Sequence, residues 1–213
     1  MAAGMLAAGL IAAQAQAQEA PRGKRAGDFM IGLGAVGVLP TNGGTLNRGL
    51  PLGGSIGASN SASPLLDFTY FFTPNISANL IAATTQHTAR VRGTALGDVN
   101  AGSLWALPPT LTLQYHPFPN ARLSPYVGIG LNVTMYYGFG GAMTPPVNRV
   151  RAGTTVGVAA NIGVDYEITP NWLANLDVKW IQMEPTISVN RGLSGGVARL
   201  NPFVVSAAAR YRF

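Results

Sequence analysis

The chain has 213 residues, of which 47% are hydrophobic and only 10% charged, with a net charge of +6 and no cysteine. Soluble domains average about 25% charged residues, so a disordered chain, a coiled coil or a highly solvated helical protein is excluded, and the lack of cysteine removes disulfide frameworks, Cys-ligated zinc and thiol catalysis. No apolar run reaches the roughly 18 residues of a transmembrane helix, and the basic residues, never in a run longer than Lys24-Arg25, make a poor nucleic-acid footprint.

Residues 1–17 read as a secretory signal. An Ala/Leu/Ile/Met-rich stretch too short to span a bilayer leads to small residues at Ala15 and Ala17, an A-x-A cleavage pattern. A buried Ala-rich helix is the alternative.

The remainder, 18–213, shows alternation of period two in eight segments. The first, 28–38, sets Phe29, Ile31, Leu33 and Ala35 against glycines. In 65–73, Leu66, Phe68, Tyr70 and Phe72 oppose Asp67 and Thr69. The weaker third, 75–86, turns Ser77 and Asn79 away from Leu80. In 104–116, Leu111, Leu113 and Tyr115 oppose Thr110, Thr112, Gln114 and His116. The fifth, 124–138, is regular: Val127, Ile129, Leu131, Val133 and Met135 on one face, Tyr126, Gly128, Gly130, Asn132 and Thr134 on the other. In 154–168, Val156, Val158, Ile162 and Val164 oppose Gly157, Asn161, Gly163, Asp165 and Glu167. In 171–184, Trp172, Leu176, Val178 and Trp180 oppose Asn175, Asp177 and Lys179. The last, 202–213, sets Phe203, Val205, Tyr211 and Phe213 against Ser206, Arg210 and Arg212.

The connections alternate short and long. Thr73-Pro74-Asn75, Phe118-Pro119-Asn120 and Thr169-Pro170-Asn171 are tight reversals, since Pro fixes φ and Asn tolerates the left-handed region. Residues 39–64, 87–103, 138–153 and 186–202 are long and rich in Gly, Ser, Asn and Arg. All long links therefore fall at one end, as in an outer-membrane barrel with short periplasmic turns and long extracellular loops. A soluble β-sandwich would carry many Lys, Glu and Thr on its wet face; here that face is mostly small, which suits the crowded interior of an eight-stranded barrel. Aromatics such as Phe72, Tyr115, Tyr166 and Trp172 lie near the short turns, and Tyr137 and Trp180 near the long links, where two headgroup layers would fall. The fold class is thus all-β, an eight-stranded antiparallel transmembrane barrel in the bacterial outer membrane.

Ala106-Leu107-Pro108-Pro109-Thr110-Leu111, then Ser124-Pro125-Tyr126-Val127-Gly128-Ile129-Gly130, then Gly163-Val164-Asp165-Tyr166 with Asn171-Trp172-Leu173, and the terminal Tyr211-Arg212-Phe213 resemble the OmpW family of small outer-membrane proteins, from about Gly27 to Phe213. The resemblance implies a narrow, mainly hydrophobic lumen that passes small hydrophobic molecules. It also implies that Tyr211 and Phe213 form the C-terminal signal read by the outer-membrane assembly machinery. An apolar constriction contributed by the third and seventh strands is implied too. Ile81 fits that role, whereas the seventh-strand position holds Lys179 beside Asp177.

Parity places Asp67, Thr69, Asn79, Ile81, Gln114, Asn132, Asn161, Asp177 and Lys179 toward the lumen. A lysine facing lipid at the midplane would cost about 2–4 kcal/mol, so Lys179 is expected inside, paired with Asp177 or Asp67. These charges either plug the lumen or select its solutes. Pro108 and Pro109 cannot donate to a ladder; they make either a lateral exit from lumen to bilayer or a bulge relieving strain.

The match of Gly32-Leu33-Gly34-Ala35-Val36-Gly37 to a dinucleotide fingerprint is declined, because no helix-forming sequence follows. His87 and His116 lack the spacing of a metal pair, and Asp165 with Glu167 reads as a carboxylate ring neutralised by Arg210 and Arg212 rather than as an acid/base pair. The expectation is therefore no enzyme, no cofactor and no metal. The expected partners are outer-membrane lipid, the assembly machinery and small hydrophobic solutes, with no nucleic acid, and the chain is expected to be a monomer. A structural or surface-interaction barrel, serving stress adaptation or as a phage or toxin receptor, is the competing reading.

Overall fold

The computed structural model describes residues 20–41, 43–49, 53–94, 97–143, 145, 147–190 and 194–213; the expected signal at 1–17 lies outside them. Among the described residues the chain forms, in order, β1 (Phe29–Leu39), β2 (Gly44–Gly49), β3 (Gly53–Ala58), β4 (Ser61–Phe71), β5 (Ile76–Ala82), β6 (Thr85–Thr94), β7 (Gly97–Leu107), β8 (Thr110–Tyr115), β9 (Leu123–Met143), β10 (Val150–Ala152), β11 (Thr155–Glu167), β12 (Trp172–Ile181), β13 (Thr186–Val189), β14 (Ser194–Ala198) and β15 (Phe203–Arg212).

Eight of these close on themselves. β1 pairs with β4, β4 with β5, β5 with β8, β8 with β9, β9 with β11, β11 with β12, β12 with β15, and β15 returns to β1, every pair antiparallel. Closure follows from composition: each of these strands has one face of Leu, Ile, Val and aromatics, and an open sheet with such a face would have an aggregating edge. The apolar face points outward. Leu33, Leu131, Val156, Ile162 and Leu176 are all exposed, and Ile129 reaches 72% exposure. So large a continuous apolar belt is unstable against water and stable against acyl chains. Phe72, Tyr115, Tyr166, Trp172 and Phe213 edge the belt at the short-turn end, with Trp172 and Tyr211 in edge-to-face contact at 5.1 Å. Trp105 and Tyr137 stack at 6.5 Å near the other edge.

The long connections are not irregular loops. β10, β13, β14, β2, β3, β6 and β7 pair side by side, ending on the outer part of β9, and form a collar that prolongs the barrel. Their Gly-, Ser- and Arg-rich sequences have weak strand propensity. Each segment, however, leaves a barrel strand already in register with its neighbour, so pairing extends upward from the strands below. The single strands expected at 75–86 and 104–116 are each divided, β5 from β6 and β7 from β8.

Candidate functional site

The interior has two halves of opposite chemistry. In the short-turn half the inward positions are polar and charged, and small inward residues make the room. Arg210 on β15 donates from Nε to Asp67 Oδ1 and from Nη2 to Asp67 Oδ2, both at 2.8 Å, and from Nη1 to Asp165 Oδ1 at 2.7 Å. Gly32 on β1 lies level with both Arg210 and Asp67; a Cβ there would come within 3.0 Å of Arg210 Cγ and 3.1 Å of Asp67 Cβ. Asn79 Nδ2 donates to Asp67 Oδ2 at 2.9 Å, and its Oδ1 accepts Lys179 Nζ at 3.2 Å. Lys179 also pairs with Asp177 at 3.0 Å. Asp177 Oδ2 accepts from the Tyr126 hydroxyl at 2.8 Å and from Asn161 Nδ2 at 2.6 Å. Tyr126 reaches it across Gly163, where any side chain would collide with the phenol. The contact from β12 to β5 through Lys179 and Asn79 carries this network across the lumen.

Residues 20–28, ahead of β1, close the short-turn end, a role no periodicity in the sequence announced. Lys24 is buried, pairs with Asp165 at 3.1 Å and lies 5.9 Å over the Phe71 ring. Its backbone amide donates to Pro119 O at 2.9 Å. Burial pulls its ammonium below the ordinary lysine value, and Asp165 opposes that shift. The Arg22 amide donates to Glu167 Oε1 at 2.6 Å, Arg212 Nη1 to Gly23 O at 2.8 Å, and Arg212 Nη2 to Glu167 Oε2 at 3.0 Å. Arg22 also pairs with Asp28 at 2.7 Å. The buried cations Lys24, Lys179, Arg210 and Arg212 are thus met by Asp67, Asp165, Asp177 and Glu167, and such matching is what allows ions out of water at all.

Above this layer the lumen turns apolar. Val36, Leu65, Ile81, Ala159, Ile181 and Val204 pack in one cluster. Ile81 therefore sits in an apolar layer, and its seventh-strand partner in that layer is Ile181, two residues beyond Lys179. Next toward the collar lies a small apolar cavity, of about 50 Å³, lined by Val38, Ile56, Leu104, Ala106, Pro108, Tyr136, Met183, Ile187 and Leu200 among others. His87 and Thr85 are its polar neighbours, yet His87 is already engaged, Nδ1 with Ser59 O at 2.7 Å and Nε2 with Thr85 Oγ1 at 2.9 Å. Burial lowers the pKa of its ring.

Of the residues expected toward the lumen, Asp67, Thr69, Asn79, Gln114, Asp177 and Lys179 are buried in the polar half and Ile81 in the apolar cluster, while Asn132 and Asn161 are also buried. Asn132 donates to Pro109 O at 3.2 Å and Thr110 Oγ1 at 2.9 Å. The prolines fall outside the ladders on both sides of their strand. On the β9 side, the Val133 amide still donates to Pro109 O at 3.1 Å. On the other side, the ladder passes from the Ile81–Thr110 pair to the Thr85–Ala106 pair, in unchanged register, with residues 82–84 opposite 107–109 outside it. The Thr84 and Tyr137 hydroxyls bond beside this break. Tyr211 and Phe213 end the chain in edge-to-face contact at 4.9 Å, with Phe213 exposed. Among the described residues no group of three His, Asp or Glu side chains could hold a metal ion.

Comparison with known proteins matches this arrangement. The OmpW family model covers residues 25–213. Outer membrane protein W of Escherichia coli K12 is 34% identical over 197 residues, 88% of this chain and 89% of that protein. The uncharacterized outer-membrane protein y4mB of Sinorhizobium fredii is 35% identical over 188 residues, 87% of this chain and 80% of that one. The crystal structure of the outer membrane protein OprG from Pseudomonas aeruginosa superposes with a TM-score of 0.82 at 25% identity, covering 91% of this chain and 99% of that one. The closed eight-stranded barrel, its apolar belt and these relatives together show that the chain belongs to the OmpW family of outer-membrane β-barrel proteins.

Proposed function

We propose that this barrel passes small hydrophobic molecules from the cell surface into the outer membrane. The observation that carries the reading is the apolar cavity between the ion-paired half and the collar, with Pro108 in its lining. A solute entering it meets hydrocarbon-like walls and, below them, Ile81 and a charged layer that a hydrophobic molecule enters only at high cost. The unladdered stretch at 82–84 and 107–109 lies beside the cavity and opens toward lipid. The path is therefore lateral, through the seam, rather than through the periplasmic mouth. Lipid around the belt and small hydrophobic solutes are the partners in this account, the barrel works as a monomer, and Tyr211 and Phe213 supply the segment that the assembly machinery reads.

The test is uptake of a hydrophobic fluorescent solute by vesicles carrying the wild-type barrel or Ala106→Trp, which fills the cavity from an inward position. Slower uptake by the variant, with heat-modifiable gel migration retained, supports the path; equal uptake rejects it. One observation favours the competing reading of a structural barrel: the short-turn half is filled by matched ions. That reading requires no solute transfer by the wild-type protein.

A further inference from the structure

The net charge of this chain is not spread evenly. In the short-turn half buried cations and carboxylates cancel. In the sequence of the long connections, Arg48, Arg90, Arg92, Arg149, Arg151, Arg191 and Arg199 outnumber Asp98 and Glu184. Glu184 stands 4.0 Å from Arg199, both solvent-accessible, and Asp98 accepts the Gly93 amide at 2.9 Å.

Two of these arginines are presented on one built surface. Along β6, His87 and Val91 are buried toward the interior, while Arg90 and Arg92 are exposed on the outer face. Their ladder partners on β3 are Gly57 and Ser55, so small residues leave a groove beside the two guanidiniums instead of a ridge. Ser55, Gly57, Ser59, Thr88, Arg90 and Arg92 line that groove. Among the described residues neither guanidinium has an ion-pair partner.

The height of the groove identifies what meets it. Ladder register sets Gln86 level with Trp105, and Trp105 level with Tyr137, the aromatic pair at the outer edge of the belt. Four to six residues further along a tilted strand, at about 3.3 Å each, put Arg90 and Arg92 roughly 10–15 Å beyond that pair. That is the depth of charged headgroups, above the acyl chains. We infer that the β3–β6 face binds the phosphate groups of a phosphorylated glycolipid in the surrounding outer leaflet. A guanidinium offers a planar fork that takes two phosphate oxygens at once, and the Ser55 and Thr88 hydroxyls supply further donors at the same groove. A lipid whose acyl chains pack on the apolar belt presents its phosphates at this level, which a free anion in solution has no reason to prefer.

The test uses the full chain refolded in phosphatidylcholine bilayers, with diphosphoryl lipid A and its dephosphorylated form as probes and with the variant Arg90→Ser/Arg92→Ser. Retention is read by native mass spectrometry after transfer to a neutral detergent. The expected result is preferential retention of the phosphorylated lipid by the wild type, with affinity falling about five-fold per arginine removed and roughly 25-fold for the pair. Equal retention of the two lipids by the wild type overturns the proposal without recourse to any variant, so a folding defect in the variant does not shield it. Unchanged affinity in a variant that keeps its heat-modifiable migration also overturns it. Inorganic phosphate bound as tightly as the lipid rejects the lipid assignment.

Discussion

Asp67 and Arg210 meet through two parallel hydrogen bonds of 2.8 Å, far apart in sequence and both buried inside the barrel. The pair exists because Gly32, between them in register, has no side chain. Without the Asp67 carboxylate Arg210 still keeps Asp165 at 2.7 Å, so the cost is that of weakened charge-assisted hydrogen bonds, about 1.5–3 kcal/mol, rather than that of an unpaired buried charge. Asp67→Asn is therefore expected to lower the urea midpoint of the refolded barrel by that equivalent. Gly32→Val is expected to be destabilising as well, by about 1–3 kcal/mol, through overpacking against both side chains. Equilibrium unfolding in detergent micelles measures both. A midpoint unchanged in Asp67→Asn would mean that the network contributes nothing to holding the barrel together.

Residues 82–84 and 107–109 drop out of the ladder without any slip in register, and one donor is missing there: Pro108 has no amide to offer them, whereas Pro109, whose carbonyl accepts the Val133 amide, faces β9. Pro108→Val/Pro109→Val restores an amide toward residues 82–84, already aligned with it, and a second toward Val133 on β9. The seam should then close, and uptake of a hydrophobic solute should fall several-fold while folding persists. Unchanged uptake would remove the lateral path.

His87 sits in the collar, buried, with both ring nitrogens engaged. Its pKa in the fold is lowered because burial disfavours the charged ring. Below the unfolded value of about 6.5, the unfolded chain binds a proton that the folded chain does not. The stabilisation is thus complete above about pH 6.5 and declines as the pH falls toward the lowered folded value. Limited proteolysis of the collar should accelerate between pH 7.5 and pH 5, and His87→Phe should flatten that dependence. The same slope in both proteins would dissociate His87 from it.

The barrel was legible from sequence because period-two alternation survives wherever one face meets lipid, as from Val127 to Met135. It faded in the connections, where neither face meets acyl chains and Gly, Ser and Arg dominate; β6 shows this, its Arg90 and Arg92 reading as loop residues although Ala89 and Val91 alternate with them. Inward parity also located Asp177 and Lys179, since a charge facing hydrocarbon is too costly. Parity could not show that Ile181, rather than position 179, supplies the apolar layer. Nor could it show that residues 20–28 return into the barrel mouth, because the Lys24 ammonium and the Arg22 amide find Asp165 and Glu167 on β11, distant in sequence, and no local pattern records such a contact.

The most direct test of the account compares two solutes of similar size, one apolar and one carrying a charge, entering phosphatidylcholine vesicles with and without the reconstituted protein. An apolar cavity above a closed, ion-paired half predicts that the protein accelerates entry of the apolar solute into the bilayer and leaves the charged one at the protein-free rate. Equal acceleration of both solutes, or of neither, would contradict it.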